Sequence, residues 1–212
     1  MLQKKFSILI LFAALIIAGC EKETTKDVST TLKVPIIELN GSQYVSVAVG
    51  GTYTDAGAKY TGEDGSVTTI QPTTNTVNTS QPGLYTVTYS QESKSGIFTT
   101  EATRIVAVTY QNNPYDYSGN YLRAATGASA ILTKVAPGLY KVQNPGGAVG
   151  HEAAVVYFIE TALNTFEGPT QEETSLGVGT ITITNISLTT TGGSWKIVNA
   201  FYGTALRTFV KQ

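Results

Sequence analysis

Apolar and polar residues alternate with a period of two along much of the first half of this chain. Val45, Val47 and Val49 are separated by Ser46 and Ala48; Tyr85, Val87 and Tyr89 by Thr86 and Thr88; Arg104, Val106 and Val108 by Ile105 and Ala107. Successive side chains of a strand point to opposite faces, so each stretch predicts a strand with one face on a core. Gly62-Glu63-Asp64-Gly65, Gln81-Pro82-Gly83 and Lys94-Ser95-Gly96 punctuate them. In such turns Pro presets φ and Gly accepts positive values. No sustained apolar i, i+3, i+4 stripe interrupts the series. Short strands at this spacing predict a β-sandwich over residues 32–110.

Gln111-Asn112-Asn113-Pro114 breaks the pattern, which places a linker at 111–114 and a second domain at 115–212. Its expected strands are Asn120–Ala125, Ala128–Val135, Leu139–Gln143, Ala153–Glu160, Gly179–Asn185, Ile186–Thr191, Ser194–Phe201 and Ala205–Lys211. Ala136-Pro137-Gly138 and Gly192-Gly193 read as hairpin turns. Ala153 to Ile159 is continuously apolar, as befits a strand covered on both sides, although periodicity alone also admits a buried helix segment. The expectation is an all-β chain: a first sandwich followed by a second sandwich or a small barrel.

The N-terminus reads differently. Lys4 and Lys5 precede a nearly unbroken apolar run from Phe6 to Ile17, then Ala18, Gly19 and the single cysteine, Cys20. The run holds roughly a dozen residues, where a membrane-spanning helix needs about 20, so residues 1–19 read as a secretory signal. Ile17-Ala18-Gly19-Cys20 resembles the lipobox of bacterial lipoproteins. That resemblance implies cleavage before Cys20 and acylation there, with Glu21 to Thr31 as a polar tether (residues 20–31). Each buried methylene contributes about 0.8 kcal/mol, so several acyl chains hold a soluble domain on a bilayer. Glu21-Lys22-Glu23-Thr24-Thr25-Lys26-Asp27 resembles in part the export signal of Bacteroidota-type lipoproteins. It implies an outer-membrane, cell-surface address, with the periplasmic face as the alternative.

"VPIIELNG", "GGTYTDAGAKYTGEDGSV", "VNTSQPGLYTVTYS" and "ATRIVAV" resemble an immunoglobulin-like repeat of bacterial surface proteins that carries a domain-of-unknown-function label. The likeness spans about residues 34–109 and includes Tyr53-x-Asp55-x-Gly57 and Pro82-Gly83-Leu84-Tyr85. "SGNYLRA", "PGLYKV" and "GSWKI" loosely resemble a C-terminal domain that accompanies this module in gut Bacteroidota lipoproteins. The implied role is an accessory of an outer-membrane system with a glycan or a surface protein as partner.

Composition narrows the chemistry. The 212 residues carry 14 basic and 15 acidic side chains, and only 14% are charged. Loss of Lys4 and Lys5 with the signal would leave 12 basic against 15 acidic. No Lys/Arg cluster marks a nucleic-acid footprint. One cysteine excludes an internal disulfide. His151 is the sole histidine; His151-Glu152-Ala153-Ala154-Val155 opens like a zinc-protease helix but has Val155 where the second histidine would stand. Gly177-Val178-Gly179 lacks the third glycine and following helix of a nucleotide loop. Asp55 and Asp64 sit in turn motifs and read as backbone caps. No metal or cofactor is expected, and no catalytic residue is assigned.

Asp116, Glu152, Glu160, Glu167, Glu172 and Glu173 leave a carboxylate-based glycoside hydrolase as the remaining enzymatic alternative, since that chemistry needs only two acids about 5 to 10 Å apart. Of the aromatic residues Tyr115, Tyr117, Tyr121, Trp195 and Tyr202, those named as ligand-binding candidates are Trp195, Tyr115 and Tyr117. An exposed aromatic face can stack on a sugar ring. The expected function is a non-catalytic surface lipoprotein that binds a glycan or protein, with a purely structural spacer as the alternative.

Overall fold

The alternating valines and tyrosines of the first half pair into two sheets. The computed structural model describes residues 33–212 apart from 174, 176 and 178; the signal segment, Cys20 and the tether lie outside the described residues. β1 (Ile36–Leu39), β3 (Ala58–Thr61) and β4 (Val67–Ile70) form one sheet in the order β1-β3-β4. The other consists of β2 (Tyr44–Ala48), β7 (Thr99–Thr109), β6 (Gly83–Glu92) and β5 (Thr74–Asn75), in the order β2-β7-β6-β5. β2 runs parallel to β7, with Tyr44 opposite Ile105 and Val47 opposite Val108. Ala58, Val87, Tyr89 and Val106 form the buried centre between the sheets, flanked by Ile37, Leu39, Val47, Tyr53 and Tyr85.

One end of that core is polar. The Arg104 side chain is 1% exposed and ion-paired with Asp55. Its Nε donates to Ser42 O at 3.0 Å. Asp55 also accepts from the Tyr53 hydroxyl at 2.7 Å, from the Tyr89 hydroxyl and from Gly57 N at 2.9 Å. Burial works against the Asp55 charge, but these donors outweigh it and hold the carboxyl at about 2. Burial, with the Asp55 carboxylate beside them, pushes the Tyr53 and Tyr89 hydroxyls up to about 12. Asp55 thus joins both sheets by capping buried donors. Asp64, in its surface turn, accepts from Ser66 N at 2.9 Å and from Lys94 Nζ at 2.6 Å.

The second half closes on itself. β8 (Gly119–Arg123), β9 (Ala128–Ala136), β10 (Leu139–Gln143), β11 (Val155–Ala162), β12 (Thr165–Glu173), β13 (Gly179–Leu188), β14 (Gly192–Val198) and β15 (Leu206–Lys211) form a closed barrel in which each strand pairs with its sequence neighbours and β15 returns to β8. Of the two architectures left open by the sequence, the barrel is the one formed. Eight strands give an interior just wide enough for side chains, and here they fill it: Tyr121, Leu132, Tyr140, Val142, Val156, Phe158, Phe166, Ile181, Ile183, Trp195, Ile197 and Phe209 point inward. Outward positions mix polar Thr133, Lys141, Gln143, Glu167, Thr182, Thr184 and Lys196 with exposed Ile131, Val198, Leu206 and Val210.

β11 explains its continuous apolar run. Val156 and Phe158 face the barrel core, while Ile159 and Tyr157 face the sandwich. There Ile159 and Leu139 meet Ala107, with Tyr44, Leu84, Ile105, Val135 and Ala136 packed around them. The same contact buries the second face of β7. Residues 109–113 are fastened as well. Thr109 Oγ1 donates to Pro137 O at 3.0 Å and Tyr110 N to Glu160 O at 2.7 Å; Asn113 Nδ2 donates to the buried Glu160 carboxylate, which also accepts from Asn164 N at 2.8 Å.

Three local expectations change. β12 was not anticipated, because Gly168-Pro169 interrupts its pattern. Its pairing with β11 ends at Glu167, and beyond Pro169 the Gln171 amide bonds Tyr157 N at 2.7 Å and Tyr157 O at 3.0 Å in place of the backbone ladder. The two strands expected across 179–191 are one, kinked where the register shifts between Thr184 and Ser187, with Asn185 at φ 55°. Gly192-Gly193 opens β14 rather than forming the turn. A Cβ at Gly192 would stand 2.4 Å from Phe209 O, so the glycines admit β15 to close approach, and Thr189–Thr191 makes the hairpin.

Candidate functional site

A meander barrel alternates its connections between two ends. The turns at 137–138, 163–164 and 189–191 lie at the end where the chain enters from the sandwich. The other end gathers 124–127, 144–154 and 199–205. Contacts tie these far segments together. Arg123 Nη1 donates to Gly146 O at 3.2 Å, and Thr126 Oγ1 donates to Gly147 O. Trp195 Nε1 reaches Pro145 O at 2.7 Å from inside the barrel. His151 Nδ1 lies 3.1 Å from the Tyr202 hydroxyl. Gly146 and Gly147 permit this closeness, since a Cβ at Gly146 would meet the Tyr202 ring at 2.6 Å and one at Gly147 the Phe209 ring at 2.7 Å.

The surface so formed is aromatic. Tyr202 packs on the barrel core, and the rings of His151, Phe201 and Tyr202 lie with centroids 5.3 to 5.5 Å apart. Phe201 is 62% exposed, and Val149, Val198 and Leu206 are exposed apolar residues in the adjoining segments. Asn199 bridges Gly203, so Phe201 and Tyr202 ride on a hairpin tip. Beneath them Arg207 is 7% exposed, with its guanidinium carbon 5.6 Å from the centre of the Tyr202 ring. Such a surface combines apolar area, ring faces and donors (the elements of a ligand contact) without an enclosed cavity.

A second concavity of about 270 Å³ lies where the sandwich meets the barrel, lined by Leu84, Thr86, Ile105, Tyr157, Thr170, Gln171 and Glu172. Burial, and the Tyr44 hydroxyl 3.4 Å away, push the Tyr157 hydroxyl up. The Gln171 amide holds β12 on β11, while Thr170 and Glu172 bond Thr182 and Thr180 of β13.

Two of the three aromatic candidates sit in the core. Trp195 is fully buried, stacked on Phe209 with centroids 3.9 Å apart and edge-on to Phe158 and Tyr121. It has no face to offer a sugar. Tyr117 is 4% exposed and edge-on to Phe166 at 5.2 Å, its hydroxyl donating to Asn164 Oδ1 at 2.6 Å. Both rings go inward because the eight-stranded interior demands large side chains. Tyr115 is 51% exposed and tilted against Tyr117 at 6.5 Å, at the barrel end away from the Phe201 cluster. Tyr121 is buried, and Tyr202 is half-buried in the cluster.

Four of the candidate carboxylates hold groups beside them. Asp116 caps Ser118 N at 2.8 Å, Glu152 caps Gly150 N at 3.0 Å, Glu172 accepts from Thr180 Oγ1 at 2.9 Å and Glu173 from Ser175 N at 3.1 Å. Glu160 belongs to the fastening between sandwich and barrel. Sequence reasoning missed Phe201, Arg123 and Arg207. The available signal was an aromatic pair, Phe201-Tyr202, standing immediately before Gly203 where a turn residue would serve.

Residues 37–108 match the family described as the Ig-like domain of bacterial surface proteins. No curated protein matches the sequence. Among solved structures, the lipoprotein BT2262 from Bacteroides thetaiotaomicron is similar, with 22% identity, 84% of this chain and 100% of that chain covered, and a TM-score of 0.39.

Proposed function

We propose that this protein is a non-catalytic lipoprotein of the bacterial cell surface, anchored through Cys20 to the outer membrane. In this reading the Ig-like domain is a rigid support and the far end of the barrel is the working surface, which binds a glycan as an accessory of an outer-membrane system. The address is supported by the signal and lipobox pattern and by the surface-protein Ig-like family matched over residues 37–108. The binding role rests chiefly on one observation: the Phe201 ring stands 62% exposed against His151 and Tyr202 at a pole where the loops meet. Burying a phenylalanine is worth about 1.5 to 3 kcal/mol, so its exposure on a rigid support favours a partner. Side chains occupy the barrel interior, which favours a surface contact over an enclosed ligand.

The test is a glycan array followed by isothermal titration of the full-length protein and its Phe201→Ala variant. Binding weakened about tenfold in the variant, with the thermal midpoint unchanged, supports the reading; an aromatic contact of this size carries about 1.4 kcal/mol or more. Silence across the panel favours the spacer role instead, for which the packed contact between sandwich and barrel is the supporting observation.

A further inference from the structure

Inside the aromatic pole lie two cations beside one buried carboxylate, Glu173. Arg207 follows exposed Leu206 and precedes exposed Thr208 on β15, so its side chain turns into the barrel mouth. Nη1 donates to Ala205 O at 3.0 Å and Nη2 to Tyr202 O at 2.7 Å. Nε is buried and has no acceptor. Arg123, at the end of β8, is half-buried in the same mouth and gives Nη1 to Gly146 O. The ion pairs among the described residues are Lys94–Asp64 and Arg104–Asp55, so neither Arg123 nor Arg207 has a carboxylate partner. Glu173, at the same barrel end, binds Ser175 through its carboxylate. Burial first, and the Arg123 charge second, push the Arg207 guanidinium below its ordinary range.

Two cations against one carboxylate, partly withdrawn from water, leave an excess of positive charge that an anion completes. The planar guanidinium fork suits oxyanions above all, with carboxylate and sulfate both matching its donors. Beside the pair stands the ring surface of Phe201, His151 and Tyr202. We infer that this pole takes an acidic saccharide, its carboxylate or sulfate drawn to Arg123 and Arg207 while the sugar ring packs on Phe201 and His151. The inference rests on the proposed binding role of the pole and names the ligand's charge. A nucleic acid fits poorly, because the basic groups are two and enclosed rather than a stripe along the surface.

The experiment is isothermal titration of the full-length protein with polygalacturonate, dextran sulfate and neutral dextran. Arg123→Gln carries the test because Arg123 is only half-buried; Arg207→Lys, which keeps the charge and loses the fork, is the second variant. Expected is binding of polygalacturonate or dextran sulfate, whichever of the two wins identifying the group. That binding should weaken about tenfold in Arg123→Gln and again between about 50 and about 300 mM NaCl, as a screened charge contact must. Equal affinity for neutral dextran, or acidic binding untouched by Arg123→Gln, overturns the inference. A neutral glycan that binds wild type and Arg123→Gln alike but fails with Phe201→Ala overturns the inference alone and leaves the binding role standing. No binding of any saccharide, including the array, overturns both.

Discussion

Removing the charge of Asp55 tests how the sandwich is held together. Asp55→Asn keeps the shape but leaves the Arg104 guanidinium, 1% exposed, without its counter-charge and gives the tyrosine hydroxyls a poorer acceptor. Breaking a buried pair on one side costs about 3 to 5 kcal/mol. For a cooperative unit of this size that lowers the thermal midpoint by about 10 °C. The pH dependence isolates the charge. The carboxyl falls from its ordinary 3.8 to about 2 in the fold, and each unit is worth about 1.36 kcal/mol, giving about 2 kcal/mol. Because the folded-state value is the lower one, this stabilisation is complete above the unfolded pKa and drains as pH falls from about 4 through about 2. Calorimetry of wild type and variant from neutral pH to about 2 should therefore show the gap between them closing by about 2 kcal/mol. Curves that descend in parallel across that range would refute the reasoning.

Ile159→Asp places a charge between the sandwich and the barrel wall, where Ile159 meets Ala107 and Leu139; calorimetry should show one unfolding transition dividing into two. Glu160→Ala removes the acceptor for Asn113 and Asn164 N, costing about 1 to 3 kcal/mol, and limited proteolysis should then cut within residues 111–114. Trp195 fluorescence should be blue-shifted and resistant to acrylamide in the native protein, because the ring is fully buried against Phe209; ready quenching would contradict the packed barrel. Trp195→Phe should lower stability, as it removes the hydrogen bond from Nε1 to Pro145 O along with part of the buried ring.

The strands legible in the sequence were those whose alternation was clean. Val87 and Tyr89 lie on the sandwich core as period two requires, and Leu139–Gln143 is a strand over the same five residues. The failures share a cause in tertiary geometry. β12 hides behind Pro169, whose lost ladder contact is replaced by a side chain, Gln171, that carries no strand signature. Gly192 resembles a turn because the need for space beside Phe209 O selects the same residue as positive φ does. The site was harder still. Trp195 and Tyr117 drew attention as large aromatics, yet size is what the barrel interior selects. Phe201 owes its exposure to a hairpin tip, and Arg123 and Arg207 meet only because β15 closes on β8; no local pattern records that closure.

β11 serves two cores at once, with alternate side chains sent to the barrel and to the sandwich. A register slip of one residue there would exchange the two sets wholesale, driving Phe158 outward and Ile159 inward. The strand is consequently the least negotiable length of the polypeptide. Insertions that the 144–154 or 199–205 loops could absorb would, in β11, dismantle two hydrophobic interiors together, so diversification of such a molecule has to proceed from its loops.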